Sequence, residues 1–110
     1  MISNELKESI IENLKSIEPK KIIIFGSFCN GCETPDSDLD IYVVTNQDFI
    51  PKNFREKKEI YLNVSQKIRK LRQLYPIDLI VHTKKMYEEA YKKGNAFIDE
   101  INRTGIVIYG

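Results

Sequence analysis

A chain of 110 residues suffices for one domain with a modest core and leaves little room for a second. Hydrophobic residues make up 42% and charged residues 30%, a balance that excludes intrinsic disorder, and no apolar run approaches the ~20 residues that cross a bilayer. The formal net charge of +1 gives no global reason to select nucleic acid as a partner.

The opening residues, Met1 to Glu5, do not read as a signal peptide, so a cytoplasmic protein with a single domain over 1–110 is expected. Ile2, Leu6, Ile10, Leu14 and Ile17 recur at helical spacing, with Ser3 as N-cap and Pro19 ending the helix. Lys21 to Phe25 is a short apolar run stopped by Gly26, which predicts a strand covered on both faces. Residues 27–37 hold Asn30, Gly31, Pro35, Asp36 and Ser37 and read as a loop. Leu39 to Val44 is a second strand. A long helix is predicted from about Asn53 to Leu74, with Ile60, Val64, Ile68 and Leu71 on its buried stripe. Pro76 separates it from a third strand, Ile77 to His82. Two short helices follow, about Lys84–Lys93 and Asn95–Arg103, ended by Gly94 and Gly105, and Ile106–Tyr109 forms a fourth strand. Strands alternating with helices predict an α/β (α+β) domain, with helices packed on a small mixed sheet.

Charge is unevenly spread. Between Lys52 and Arg72 the bases Lys52, Arg55, Lys57, Lys58, Lys67, Arg69, Lys70 and Arg72 face only Glu56 and Glu59, an excess of six positive charges. A solvated helix face is the simpler reading, and an anion-binding or partner-binding face is the alternative. Cys29 and Cys32 form C-x-x-C, but the single histidine, His82, is remote and a turn surrounds the pair. They are read as loop thiols rather than a zinc or redox site.

Asp38 and Asp40 stand two residues apart at the start of the second strand, so both carboxylates project from one face. Two like charges so close are unfavourable without a cation between them, and carboxylate oxygens suit Mg²⁺ or Mn²⁺. Asp78 interrupts the apolar run Ile77 to Val81, where an acid is costly to bury unless it faces a polar site or a metal. If the third strand lies beside the second, the three acids describe a two-metal site for phosphoryl transfer. Singly, each has a plain alternative: a strand-start cap for Asp38, a solvent-facing position for Asp40, a strand edge for Asp78. Gly26-Ser27, directly after the first strand, lets backbone amides approach a phosphate, though alone it is just as well a turn.

Taken together, Gly26-Ser27, ten residues, Asp38-Leu39-Asp40 and then Ile77-Asp78-Leu79 resemble the signature of the DNA polymerase β-like nucleotidyltransferase superfamily. The run from Phe25 to Asp40 is similar to the minimal nucleotidyltransferases, whose usual form reads Gly-Ser-Arg-Ala-Arg-Gly, a spacer, then Ser-Asp-x-Asp. Gly31 matches the family glycine, and the closing Gly105 to Tyr109 is also similar. The resemblance implies a polymerase β-like palm that uses ATP and two Mg²⁺ ions, with Mn²⁺ as a substitute, to transfer AMP to a hydroxyl. It implies that Gly26 and Ser27 hold the triphosphate, that Asp38, Asp40 and Asp78 bind the metals, and that Asp78 orients or deprotonates the attacking hydroxyl. It further implies a protein partner, a HEPN-type toxin, with AMP placed on its tyrosine in an antitoxin role, since an added substrate domain is not expected here. Phe28 and Asn30 stand where the family carries two arginines, a departure that bears on turnover.

A different class remains open: an idle module of the same fold that neutralises a partner by contact. A nucleic-acid-binding face over Lys52–Arg72 is the weaker rival, because no aromatic residues interleave with the bases in the way that stacks nucleobases. His82 is read as a satisfied strand-end histidine, and Tyr87 and Tyr91 as core or partner contacts.

Overall fold

A computed structural model describes residues 2–26 and 37–110. Helix α1 spans Asn4–Leu14, opened by the Ser3 side chain accepting from the Leu6 amide, and a single 3-10 turn, Lys15–Ile17, follows. Glu18 takes a left-handed conformation there (φ 50°), reversing the chain into β1 (Lys21–Phe25). Strand β2 spans Leu39–Val44, helices α2 and α3 span Phe54–Lys67 and Arg69–Leu74, and β3 spans Ile77–His82. Helices α4 (Lys84–Lys92) and α5 (Ala96–Thr104) precede the last strand, β4 (Ile106–Tyr109).

The four strands form one mixed sheet in the order β3-β2-β1-β4. β1 is antiparallel to both β2 and β4, whereas β2 and β3 are parallel. The parallel pair requires a crossover, and α2 with α3 supply it. Alternation along the strands then divides the apolar residues between two faces. Ile22 and Ile24 on β1, Leu39, Ile41 and Val43 on β2, and Leu79 and Val81 on β3 pack against Leu6, Ile10 and Leu14 of α1 and Val64, Ile68 and Leu71 from the crossover. On the other face Ile23, Tyr42 and Val44 meet Ile98 and Ile101 of α5 in a second, smaller core, with Ala90 and Tyr87 of α4 at its margin. This explains why β1 reads as a continuous apolar run: it is covered on both sides.

The sequence predicts one helix from Asn53 to Leu74, and the structure breaks it at Ile68. Ile68 leaves helical geometry (φ −107°, ψ 18°) and its amide bonds to Ser65 at 3.2 Å, a tighter turn than the α-helix. The buried stripe continues across the break, since Ile60, Val64, Ile68 and Leu71 all pack in the larger core. All eight bases between Lys52 and Arg72 are exposed.

Candidate functional site

The site is set by register. β2 and β3 run parallel with Asp40 directly paired to Asp78, and β1 places Phe25 opposite Asp40 from the other side. Paired residues on adjacent strands point the same way, so Asp40 and Asp78 stand side by side on the face that carries Tyr42 and Val44. Asp38 immediately precedes β2, anchored by the neighbouring Leu39 amide, which donates to the Pro76 carbonyl at 2.8 Å. Asp38 and Asp78 are exposed and Asp40 is half-buried. The carboxyl of Asp40 is pushed above its ordinary range, first by burial and then by the negative charges of Asp78 and Asp38. The three acids therefore act on one another electrostatically.

Gly26 closes the site at the end of β1. Its φ is 75°, and a Cβ built on it would lie 2.0 Å from Asp40 Oδ2, so backbone and carboxylate approach each other where no side chain fits. Ser27, Phe28, Cys29, Asn30, Gly31 and Cys32, to which the sequence gives the rest of the phosphate loop, lie outside the described residues.

Among the described residues no three Asp, Glu, His or Cys side chains converge into a ready-made metal cage. The donor set nevertheless suits a hard divalent cation: oxygen-only ligands, adjacent on one sheet face, whose mutual repulsion a cation would relieve. Mg²⁺ is commonly held by one or two carboxylates with water and substrate phosphates completing its shell, which does not demand a preformed cage.

The helices that carry the Lys52–Arg72 bases pack on the opposite face of the sheet from Asp40 and Asp78. The charge of Lys57 nevertheless reaches His82, which lies on the acid-bearing face. His82 is spoken for, since its Nδ1 shares a 2.8 Å hydrogen bond with the hydroxyl of the fully buried Tyr42. Burial, and then the charge of Lys57, lowers the His82 pKa. Tyr87 sits beside the smaller core and also hydrogen-bonds Asn102, whereas Tyr91 is exposed.

Sequence reasoning missed the aromatic side of the site. Phe97, at the start of α5, makes edge-on ring contacts with Phe25 (centroids 6.1 Å, 88°) and Tyr42 (6.0 Å, 89°). Phe25, Gly26, Phe97, Glu100, Ile101 and Thr104 line a cavity of about 410 Å³ beside Asp40. The period of β1 puts Phe25 on the acid face, but nothing in the order of residues brings α5 there.

The family described as "Polymerase beta, Nucleotidyltransferase" matches residues 8–110. Among solved structures, one similar chain is a putative nucleotidyltransferase from Sulfolobus solfataricus, with 23% identity and a TM-score of 0.56 over 93% of this chain and 74% of that one. Another belongs to a toxin-antitoxin crystallised with AMP-PNP, with 18% identity and a TM-score of 0.55 over 94% of this chain and 73% of that one. At these identities the likeness shows the fold alone. No curated protein matches the chain at a significant level, and none of the described helices is long and apolar enough to cross a membrane.

Proposed function

Because the chain belongs to the polymerase β nucleotidyltransferase family, we propose that it transfers AMP from ATP to a hydroxyl with Mg²⁺, or Mn²⁺ in its place. The observation that carries this reading is the pairing of Asp40 with Asp78, with Asp38 beside them and Gly26 closed against the Asp40 carboxylate. In this reading Asp38, Asp40 and Asp78 hold the cations, and Gly26 with Ser27 receives the triphosphate through backbone amides and a hydroxyl. Divalent cations supply charge neutralisation at the phosphates. The chain's residues supply position. Gly26 sets the triphosphate at contact distance from the acids, and Asp78 orients the acceptor hydroxyl and accepts its proton. The hydroxyl oxygen forms its bond to the α-phosphorus as the bond to the bridging oxygen breaks, and pyrophosphate leaves.

The acceptor we favour is a tyrosine of a HEPN-type toxin, with this protein as its antitoxin in the cytoplasm. Support comes from the fold shared with a toxin-antitoxin crystallised with AMP-PNP, and from the resemblance of Phe25–Asp40 to the minimal nucleotidyltransferases. A second reading draws on one specific observation: the basic helices pack on the opposite face of the sheet from Asp40 and Asp78, which favours leaving the departure at Phe28 and Asn30 uncompensated. On that reading the protein keeps the fold but neutralises its partner by contact.

Incubation with α-labelled ATP, Mg²⁺ and the product of the neighbouring gene separates the two. Label on the partner that disappears in Asp38→Ala and Asp78→Ala supports transfer. A stable complex with no label, unchanged by either substitution, supports the contact module instead.

A further inference from the structure

We infer that the cavity between the end of β1 and α5 is a nucleobase subsite, with the Phe97 ring as its stacking shelf. The inference rests on the nucleotidyltransferase reading above and adds the part of the nucleotide that the acids and Gly26 do not touch. Phe97 is 37% exposed although two other aromatic rings pack against it. Phe25 and Tyr42 both meet it edge-on, so its orientation is fixed while part of the ring stays open to a ligand. The floor is Ile101, which is buried, and Gly26 forms the wall shared with Asp40. Gly26 thus borders both the Asp40 carboxylate and the cavity.

Its chemistry selects what enters. Among the described residues the lining carries no cation, and its one charged group is the Glu100 carboxylate, already paired with Arg103. A phosphate is disfavoured there. A flat, neutral ring fits the apolar floor and the aromatic wall, and about 410 Å³ lies within the ~300–1,000 Å³ range of small-molecule sites. An aromatic shelf accepts any base through its π-face, so the subsite supplies affinity for nucleotides over bare polyphosphate rather than a choice among bases.

The test compares Mg·AMP-PNP with Mg·tripolyphosphate as ligands, titrated by calorimetry into wild type, Phe97→Ala, Phe97→Leu and Phe97→Tyr, with circular dichroism checking each fold. In Phe97→Ala the affinity for AMP-PNP should fall about 5- to 150-fold, the change that ~1–3 kcal/mol of base stacking converts to, with tripolyphosphate affinity unchanged. Phe97→Tyr should keep both affinities, and Phe97→Leu, which keeps apolar bulk without the π-face, should lose AMP-PNP affinity alone and covers the case in which the alanine variant fails to fold. If wild type binds AMP-PNP and Phe97→Ala binds it equally well, the base lies elsewhere and the subsite is overturned while the nucleotidyltransferase reading stands. Should the alanine variant not fold, a Phe97→Leu variant that keeps full AMP-PNP affinity also overturns the shelf. If wild type binds neither ligand, the underlying reading fails and takes the subsite with it.

Discussion

Gly26 has a positive φ and no room for a methyl group, because Asp40 Oδ2 occupies that space. Gly26→Ala should therefore cost about 1–3 kcal/mol of stability and push the Asp40 carboxylate out of line with Asp78. Thermal melts would read the first effect, and label transfer from ATP should fall to background. His82 gives a pH signature of its own. Its folded pKa lies below the ordinary histidine value, so between the two values the unfolded chain binds more protons than the native one. Stability is full above the ordinary value near ~6.5 and declines as pH falls through that window. His82→Ala should remove this decline and leave the buried Tyr42 hydroxyl unpaired, a loss of about 1–3 kcal/mol at neutral pH. Melting curves from pH 7 down to 5 check both parts. Asp40 and Asp78 were legible because an acid in an apolar strand stands out in sequence. Phe97 was not, because an aromatic on a short amphipathic helix is ordinary until the fold sets it against Phe25.

At the scale of elements, the joint between α5 and β4 leaves no room for a side chain at Gly105. A Cβ on Gly105 would lie 2.6 Å from both the Ile101 carbonyl oxygen and Ile23 Cγ2, the second of which belongs to the strand that positions Gly26. Gly105→Ala should destabilise by about 1–3 kcal/mol through overpacking, read as a lower denaturant midpoint. The sequence marks Gly105 only as a helix stop, since its contact with β1 is long-range. All four strands match their predicted bounds, because short apolar runs flanked by proline, glycine or loop residues leave little choice of register. The helix from Asn53 to Leu74 was legible as one stripe, but the break at Ile68 was not, because Ile60, Val64, Ile68 and Leu71 keep helical spacing straight through it. The smaller core under α5 was likewise hidden, since Tyr42 and Val44 extend a β2 run that is apolar on both faces.

For the whole molecule, one sheet face carries the larger core and the other carries the smaller core and the proposed site. The larger core joins α1, α2 and α3 to the sheet, while the acids stand at the open end of the face that α4 and α5 only partly cover. Such a division predicts opposing effects of substitution on stability and on function. Burial and the neighbouring carboxylates disfavour the charged form of Asp40 in the native state, so the native chain binds more protons than the unfolded one above the ordinary carboxylate range. Stability therefore falls as pH rises through that range, and the cost persists at neutral pH, moderated by solvent screening. In metal-free buffer at pH 7, Asp40→Asn should melt above wild type. With Mg²⁺ and AMP-PNP added, wild type should gain stability and the variant should not.

The most direct measurement is Mn²⁺ binding, followed by electron paramagnetic resonance, in wild type, Asp40→Asn and Asp78→Asn with AMP-PNP present. Wild type should take up manganese only when the nucleotide is present or far more tightly with it, and each substitution should weaken that uptake at least about tenfold, a loss of ~1.4 kcal/mol. Manganese binding that ignores both substitutions, or a wild type that binds none with the nucleotide present, would contradict a metal-dependent transfer site at the paired acids.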